Sequence, residues 1–240
     1  PLTNEEDIFI TKFDDAGNFI WAKQISGNFL DVTHSIKLDA QGNIYLTGIF
    51  FSICDFDPGP GIFNLVSAGN EDIFIAKLNA SGNFLWAKRM GSGRFDRGNY
   101  ISLDAVGNLY VTGFFLETVD FDPGPAVYNL TAEGGEDMFI AKFDFAGNFI
   151  WVKQMGGLLF EGGYSIEISA AGNIYTAGIF LGTSDFDPSA SVFQLNSSGL
   201  SDAFVCKLDA AGNFKWAKRM GGNSFNRCLS MALDENENIY

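Results

Sequence analysis

Apolar residues in this chain come in short runs that end at glycine, asparagine or aspartate. Within residues 72–115 the runs are "DIFIAKLN" (72–79), "FLWAKRM" (84–90), "YISLD" (100–104) and "LYVTGFF" (109–115). They are rich in Ile, Val, Phe, Tyr and Trp, the residues that suit a pleated surface. No stretch keeps an apolar period of 3.6 residues, so no helix is predicted. Between the runs stand "ASGN" and "AVGN", each preceded by Asn79 or Asp104. That pattern predicts hairpin turns: the acid or amide side chain accepts from backbone amides, and the glycine takes a positive φ. In Ile73–Leu78, Ile73 and Ile75 point one way while Phe74, Ala76 and Leu78 point the other, and both sets are apolar. A sheet with one wet face alternates apolar and polar positions. These sheets are therefore expected to be covered on both faces.

The pattern repeats. Trp21, Trp86, Trp151 and Trp216, the only tryptophans, stand 65 residues apart, as do the "GNIY" or "GNLY" segments at 42, 107 and 172. Residues 1–65, 66–130 and 131–195 align without a gap, and 196–240 is a truncated fourth copy. Short antiparallel hairpins buried on both faces and repeated at a fixed period predict an all-β fold, a β-propeller, with residues 1–240 as one domain. With strands lettered A to D in each blade, 34–90, 99–155 and 164–220 form full four-stranded blades. Residues 7–25 then supply a C–D half and 229–240 part of an A–B half. Joined, the halves would close a four-bladed ring; a larger propeller and a helical array are the alternatives. The chain begins and ends inside a repeat and lacks an initiator Met, so it is expected to belong to a longer polypeptide. In such a blade the tight A–B and C–D turns share one face. The B–C insertion and the D–A loop share the other, and long loops on a rigid scaffold are where binding is expected.

The segments "DIFIAKLNASGNFLWAKRMG", "GNYISLDAVGNLYVTGFF" and "TVDFDPGP" resemble the bacterial SBBP-type β-propeller repeat, and all four copies share the resemblance. It implies a propeller in a large secreted or surface-attached bacterial protein, hence an extracellular or cell-surface location. The family is tied to no single enzymatic activity.

Composition narrows the partners. Fifteen Lys and Arg against 29 Asp and Glu give a net charge of −14. Nucleic acid requires a basic footprint and is not expected, and neither is docking on anionic lipid. Cations, cationic partners and neutral glycans fit. No run of about 18 apolar residues predicts a membrane-spanning helix. Cys54, Cys206 and Cys228 are odd in number and do not recur between copies, so no disulfide framework is expected, and Cys206 reads as a small buried residue. His34, the sole histidine, does not recur at 99, 164 or 229, and no CxxC, HExxH or phosphate-loop motif is present. The chain is predicted to be non-enzymatic: a binding or adhesion module for a glycan or protein. A structural unit that self-associates in a surface fibre or sheath is the alternative, and a polysaccharide hydrolase a third reading.

Two loops carry the candidate chemistry. "DFDPGP" stands at 55–60 and 120–125, with "DFDPSA" at 185–190. Asp55, Asp57, Asp120, Asp122, Asp185 and Asp187 are candidate calcium ligands, because hard cations take oxygen donors. The spacing departs from an EF-hand, with Val66 at the twelfth position, so further acids such as Glu71 or Asp72 would be needed. The competing reading is a type II turn with solvated acids, Pro58 setting φ and Gly59 taking a positive φ. In the D–A loops, Leu30, Phe95, Phe160 and Phe225 share one position and are expected to plug the seams between blades; Asp31, Asp96, Glu161 and Asn226 share the next. The variable residues beside them, Asn28, Arg94, Arg97, Asn223 and Arg227, are the candidate ligand-binding set. The recurring lysines, among them Lys77, Lys142 and Lys207, are expected to lay their stems on aromatics with the ammonium near a repeated acid.

Overall fold

The structure is a computed structural model that describes residues 6–240, and among these it contains strands, turns and no helix. The N-terminal hairpin pairs β1 (Ile8–Phe13) with β2 (Phe19–Gly27). Three four-stranded units follow. The first runs β3 (Val32–Leu38), β4 (Ile44–Asp55), β5 (Asn64–Leu78), β6 (Phe84–Met90). The second uses β7 (Arg97–Leu103), β8 (Leu109–Phe115), β11 (Asp137–Phe143) and β12 (Phe149–Gly157), with the short strands β9 (Thr118–Asp120) and β10 (Asn129–Thr131) between its middle pair. The third uses β13 (Glu161–Ile168), β14 (Ile174–Phe180), β17 (Asp202–Leu208) and β18 (Phe214–Met220), with β15 (Thr183–Asp185) and β16 (Gln194–Asn196) in the same place. Within each unit neighbours in sequence are antiparallel neighbours in the sheet, the A–B–C–D order expected from the repeat.

The turns carry the predicted chemistry. Asp39 Oδ1 accepts the amides of Gln41 and Asn43 at 3.0 and 2.8 Å, and Gly42 has φ +78°. In the last turn Glu237 occupies the glycine position at φ +62°, a conformation that costs a residue with a Cβ about 1–2 kcal/mol.

The core lies between units as well as within them. Ile73, Ile75 and Met90 of the first unit pack in one cluster with Val111, Phe115 and Phe139 of the second. Met138, Ile140 and Met155 of the second do the same with Ile174, Phe180 and Phe204 of the third. This is why both faces of the C strands are apolar. The A strands lie side by side: Asn99 Nδ2 donates to Gly163 O at 2.9 Å, and the amides of Ile101 and Met231 donate to Ser35 and Ser165 Oγ at 3.3 and 3.1 Å. His34 Nδ1 lies 3.1 Å from Gly98 O in this layer, and burial lowers its pKa. Lys37 of β3 reaches Glu167 of β13, two units on, at 3.4 Å. At the N-terminal end, among the described residues, β1 pairs only with β2. Phe9 is 76% exposed there, whereas its equivalents Phe74, Phe139 and Phe204 are fully buried beneath a B strand.

Candidate functional site

The acidic insertion forms the tip of a B–C hairpin. A positive φ at Ser52, Glu117 and Gly182 (54°, 57° and 67°), again 65 residues apart, kinks the chain as it leaves strand B. The extension then turns toward the preceding unit: Asp55 pairs with Ser26 at the end of β2, and Asp185 with Gly156 at the end of β12. The tip folds back, stacking Phe63 on Phe84, Tyr128 on Phe149 and Phe193 on Phe214 with ring centroids 4.7–5.1 Å apart.

Within the tip the aspartates close the loop. Asp55 Oδ1 accepts the amides of Asp57 and Phe63 at 3.0 and 2.8 Å, and Asp57 Oδ1 accepts that of Gly59 at 2.8 Å. Asp120 and Asp122 repeat this pattern at 3.1, 2.8 and 2.8 Å, and Asp185 and Asp187 at 3.0, 2.8 and 3.0 Å. Neither Gly59 nor Gly124 takes a left-handed φ. The type II turn is therefore corrected to a loop stapled by aspartate side chains, which explains why Ser189 serves in the third copy. The phenylalanine between the acids is fully buried. Phe121 stacks against Phe115 and Phe139 at 5.2 and 4.9 Å in the cluster shared by the first two units, and Phe186 does the same against Phe180 and Phe204 at 5.4 and 4.8 Å. The seam plug is this residue. The expected plugs in the D–A loops do not share the role: Phe160 packs on Phe114 at 5.5 Å, but Phe95 and Phe225 are exposed.

Among the described residues no group of three or more His, Cys, Asp or Glu is arranged to hold a metal ion. At the third insertion, acids of the second unit come close. A cleft of about 350 Å³ between the second and third units is lined by Glu133 and Asp137 on one side and Asp185 and Asp187 on the other. At the seam before it, Arg89 faces Asp120 and Asp122.

In the D–A loops the predicted binding residues divide. Arg97 makes two bonds to Glu71, at 2.5 and 3.0 Å, and Arg94 one to Glu117 at 2.9 Å, so both arginines are held by acids of the same face. Asn28, Asn223 and Arg227 are exposed, and none of the five lines the clefts named here. The position after the apolar residue carries buried acids in three of the four loops. Asp31, Asp96 and Glu161 are at most 1% exposed, and their backbone amides bond the carbonyls of Glu6, Glu71 and Glu136 at 2.7–2.9 Å. Asp96 accepts from the Ser92 amide and hydroxyl and from the Leu116 amide; Glu161 accepts from the Gly157 amide and the Ser184 hydroxyl. Burial pushes Asp31 and Glu161 up to about 7 and Asp96 up to about 6. The recurrence of an acid or amide at one position in four otherwise variable loops was the available signal.

The tight-turn face holds the larger cleft, about 670 Å³ between the first two units, with Asp39, Tyr45, Lys77, Asp104 and Phe145 among its walls. Three of the recurring lysines, Lys77, Lys142 and Lys207, lie as expected, whereas Lys12 bonds the Ala80 carbonyl and Lys153 lies 6.0 Å over Trp151 with no acid partner among the described residues. Lys77 sits 4.6 Å over Tyr45 and 4.0 Å from Asp39, and Lys142 sits 4.8 Å over Tyr110 and 3.9 Å from Asp104. The third unit has Ser169 where those turns have aspartate. There Glu237 of the segment after the third unit supplies the carboxylate, bonding Lys207 at 2.8 Å and the Tyr175 hydroxyl at 2.6 Å.

No family model matches the chain, so the SBBP-type resemblance has no such support. The chain is 26% identical over 90% of its length to an uncharacterized WD repeat-containing protein of Acanthamoeba polyphaga mimivirus. It is 26% identical over 62% of its length to the regulatory protein FlaEY of Caulobacter vibrioides. The matched segments are 18% and 15% of those two proteins. The similarity to a WD repeat-containing protein agrees with what the fold displays: an all-β repeat protein of antiparallel sheets.

Proposed function

We propose that this chain is part of an extracellular, non-enzymatic β-propeller that binds a protein partner through its D–A loops. The propeller reading is supported by the side-by-side A strands, by the Lys37–Glu167 approach across two units and by the similarity to a WD repeat-containing protein. The extracellular placement rests on the sequence resemblance alone. The observation that carries the binding reading is the row of exposed apolar side chains in successive loops: Phe29, then Phe95, then Leu158 and Leu159, then Phe225. Exposed aromatic and aliphatic groups beside arginine are the composition of interface cores. With the insertions committed to the seams, the D–A loops are the part of that face left to vary. The test is a protein array probed beside a glycan array, followed by Phe95→Ser and Leu159→Ser on any hit. A protein hit weakened tenfold or more with unchanged melting temperature supports the reading. Glycan hits alone would change the ligand class, and silence on both arrays at high concentration would remove the function.

The three gap-free 65-residue copies favour self-association as a second reading, because units that stack on one another within the chain can stack between chains. Light scattering across a concentration series tests it; a strict monomer at every concentration rejects it.

A further inference from the structure

Four junctions link the N-terminal hairpin, the three units and the final segment, and each brings together three side chains in equivalent positions. One is the aspartate that starts strand C: Asp7, Asp72, Asp137 and Asp202. The second is the D–A loop residue: Asp31, Asp96, Glu161 and Asn226. The third comes from strand D and holds Oδ2 of the first aspartate: Gln24, Arg89, Gln154 and Arg219, at 2.5–2.8 Å.

The charge inventory differs between junctions. At the fourth, Asp202 faces a neutral Asn226 and a cationic Arg219, and Asn226 Nδ2 points at Asp202 Oδ1 from 3.5 Å. Both oxygens are served and the net charge is zero. At the third, the two acids Asp137 and Glu161 have only the neutral Gln154 as their strand D partner. Both residues are fully buried, and Asp137 Oδ1 has no hydrogen-bond partner. Glu133 and Glu136 stand nearby and add to the negative field. The first junction has the same makeup, Asp7 and Asp31 with Gln24, and leaves Asp7 Oδ1 and Asp31 Oδ2 without partners. At the second, Arg89 offsets one of two charges and Asp72 Oδ1 is still unpartnered.

Asp137 lies close enough to Glu161 for its charge to act on that carboxyl, and a buried carboxylate oxygen left without a partner beside a second acid demands a positive charge or a donor. Its absence at the glutamine junctions, and its provision by Asn226 and Arg219 at the fourth, identify what is missing. From this we infer a hard divalent cation site of the calcium class at the junction of the second and third units, held by Asp137 Oδ1 and the Glu161 carboxylate. Such an ion takes carboxylate, carbonyl and water oxygens together. The site is distinct from the insertion aspartates, whose Oδ1 atoms are used by backbone amides. Asp137 also lines the acidic cleft shared with Asp185 and Asp187, which gives an ion a way in. Asp7 and Asp31 repeat the arrangement at the first junction.

The test is isothermal titration and thermal melting of chelator-stripped protein with calcium chloride, with magnesium chloride as comparison. Ligand binding to the folded state alone raises the melting temperature by mass action, here by roughly 5 °C or more at saturating calcium, given about 2–4 °C per kcal/mol at this size. Glu161→Asn copies the fourth junction, so it should fold and bind one calcium fewer per chain. Asp185→Asn/Asp187→Asn should leave the stoichiometry unchanged. The converse change, Arg219→Gln/Asn226→Glu, should add one ion. No calcium response in the stripped protein would overturn the site. So would a response that survives Glu161→Asn undiminished, or one lost with Asp185→Asn/Asp187→Asn. A melting temperature indifferent to cations but rising as pH falls would mean a shared proton instead and would equally overturn it.

Discussion

Replacing Asp120 by asparagine and by alanine separates a staple from a charge. In the insertion of the second unit, Asp120 Oδ1 accepts the amides of Asp122 and Tyr128 at 3.1 and 2.8 Å. Asparagine keeps a carbonyl oxygen at the same place and can accept both. Alanine removes the acceptor and leaves two amides to water in a half-buried loop. At about 0.5–1.5 kcal/mol for each net hydrogen bond, Asp120→Ala should cost roughly 1–3 kcal/mol and Asp120→Asn less than about 1. For a chain of this length that is a fall of about 2–12 °C for alanine and under about 4 °C for asparagine. The same pair of changes at Asp55 and Asp185 should add almost linearly, because the three loops share no partners. Urea unfolding followed by tryptophan fluorescence gives the free energies, with Trp86, Trp151 and Trp216 reporting on strand D of each unit. If asparagine proves as costly as alanine, the negative charge itself is what the loop needs, and the stapling account fails.

Two further outcomes follow from the same geometry. Phe121→Ala should cost about 3–5 kcal/mol, because the ring is fully buried against Phe115 and Phe139 in the cluster that the first two units share; a loss under about 1 kcal/mol in urea melts would show that the seam is plugged by something else. Bonds from Lys207, Tyr175 and Asn173 lower the pKa of Glu237 to about 2 in the folded chain. A depressed carboxylate lends stability that is complete above its unfolded value of about 4.3 and is lost as pH falls toward 2. The difference in melting temperature between the parent chain and Glu237→Gln should therefore be constant at neutral pH and shrink below pH 4.5, and a difference that stays constant down to pH 2.5 would exclude the ion pair.

Much of this fold could be read from spacing. The 65-residue period, the Asp-x-x-Gly-Asn turns and the doubly apolar C strands predict the sheets, their order and their burial. The alternation in Asp55-Phe56-Asp57 also shows that the ring and the acids face opposite ways. What spacing does not contain is the kink at Ser52 and Glu117, two residues with no special preference for a left-handed backbone. That kink carries the insertion into the seam, so it decides that Phe121 and not Phe95 fills the gap between the first two units. The candidate site was legible in the same uneven way. Phe225, expected as a seam plug, is exposed instead, and Arg227 beside it is exposed too. The ion pairs of Arg94 and Arg97 could not be read from spacing, since Glu117 and Glu71 come from connections that only tertiary folding brings to them. The burial of Asp96 and Glu161 was least legible, because an isolated acid in a glycine-rich loop is ordinarily solvated.

The exchange at Ser169 and Glu237 bears on how such an array can change over generations. Copies of identical length invite unequal recombination, which would insert, delete or reorder them without disturbing the reading frame of the fold. The third unit lacks the turn aspartate that its lysine and tyrosine require, and the segment after it carries a glutamate at a backbone position suited to glycine. A recombinant that inserts another unit between them would take the carboxylate away from Lys207 and Tyr175, and one that moves the final segment elsewhere would keep a strained turn without its ion pair. These two positions are expected to change only together.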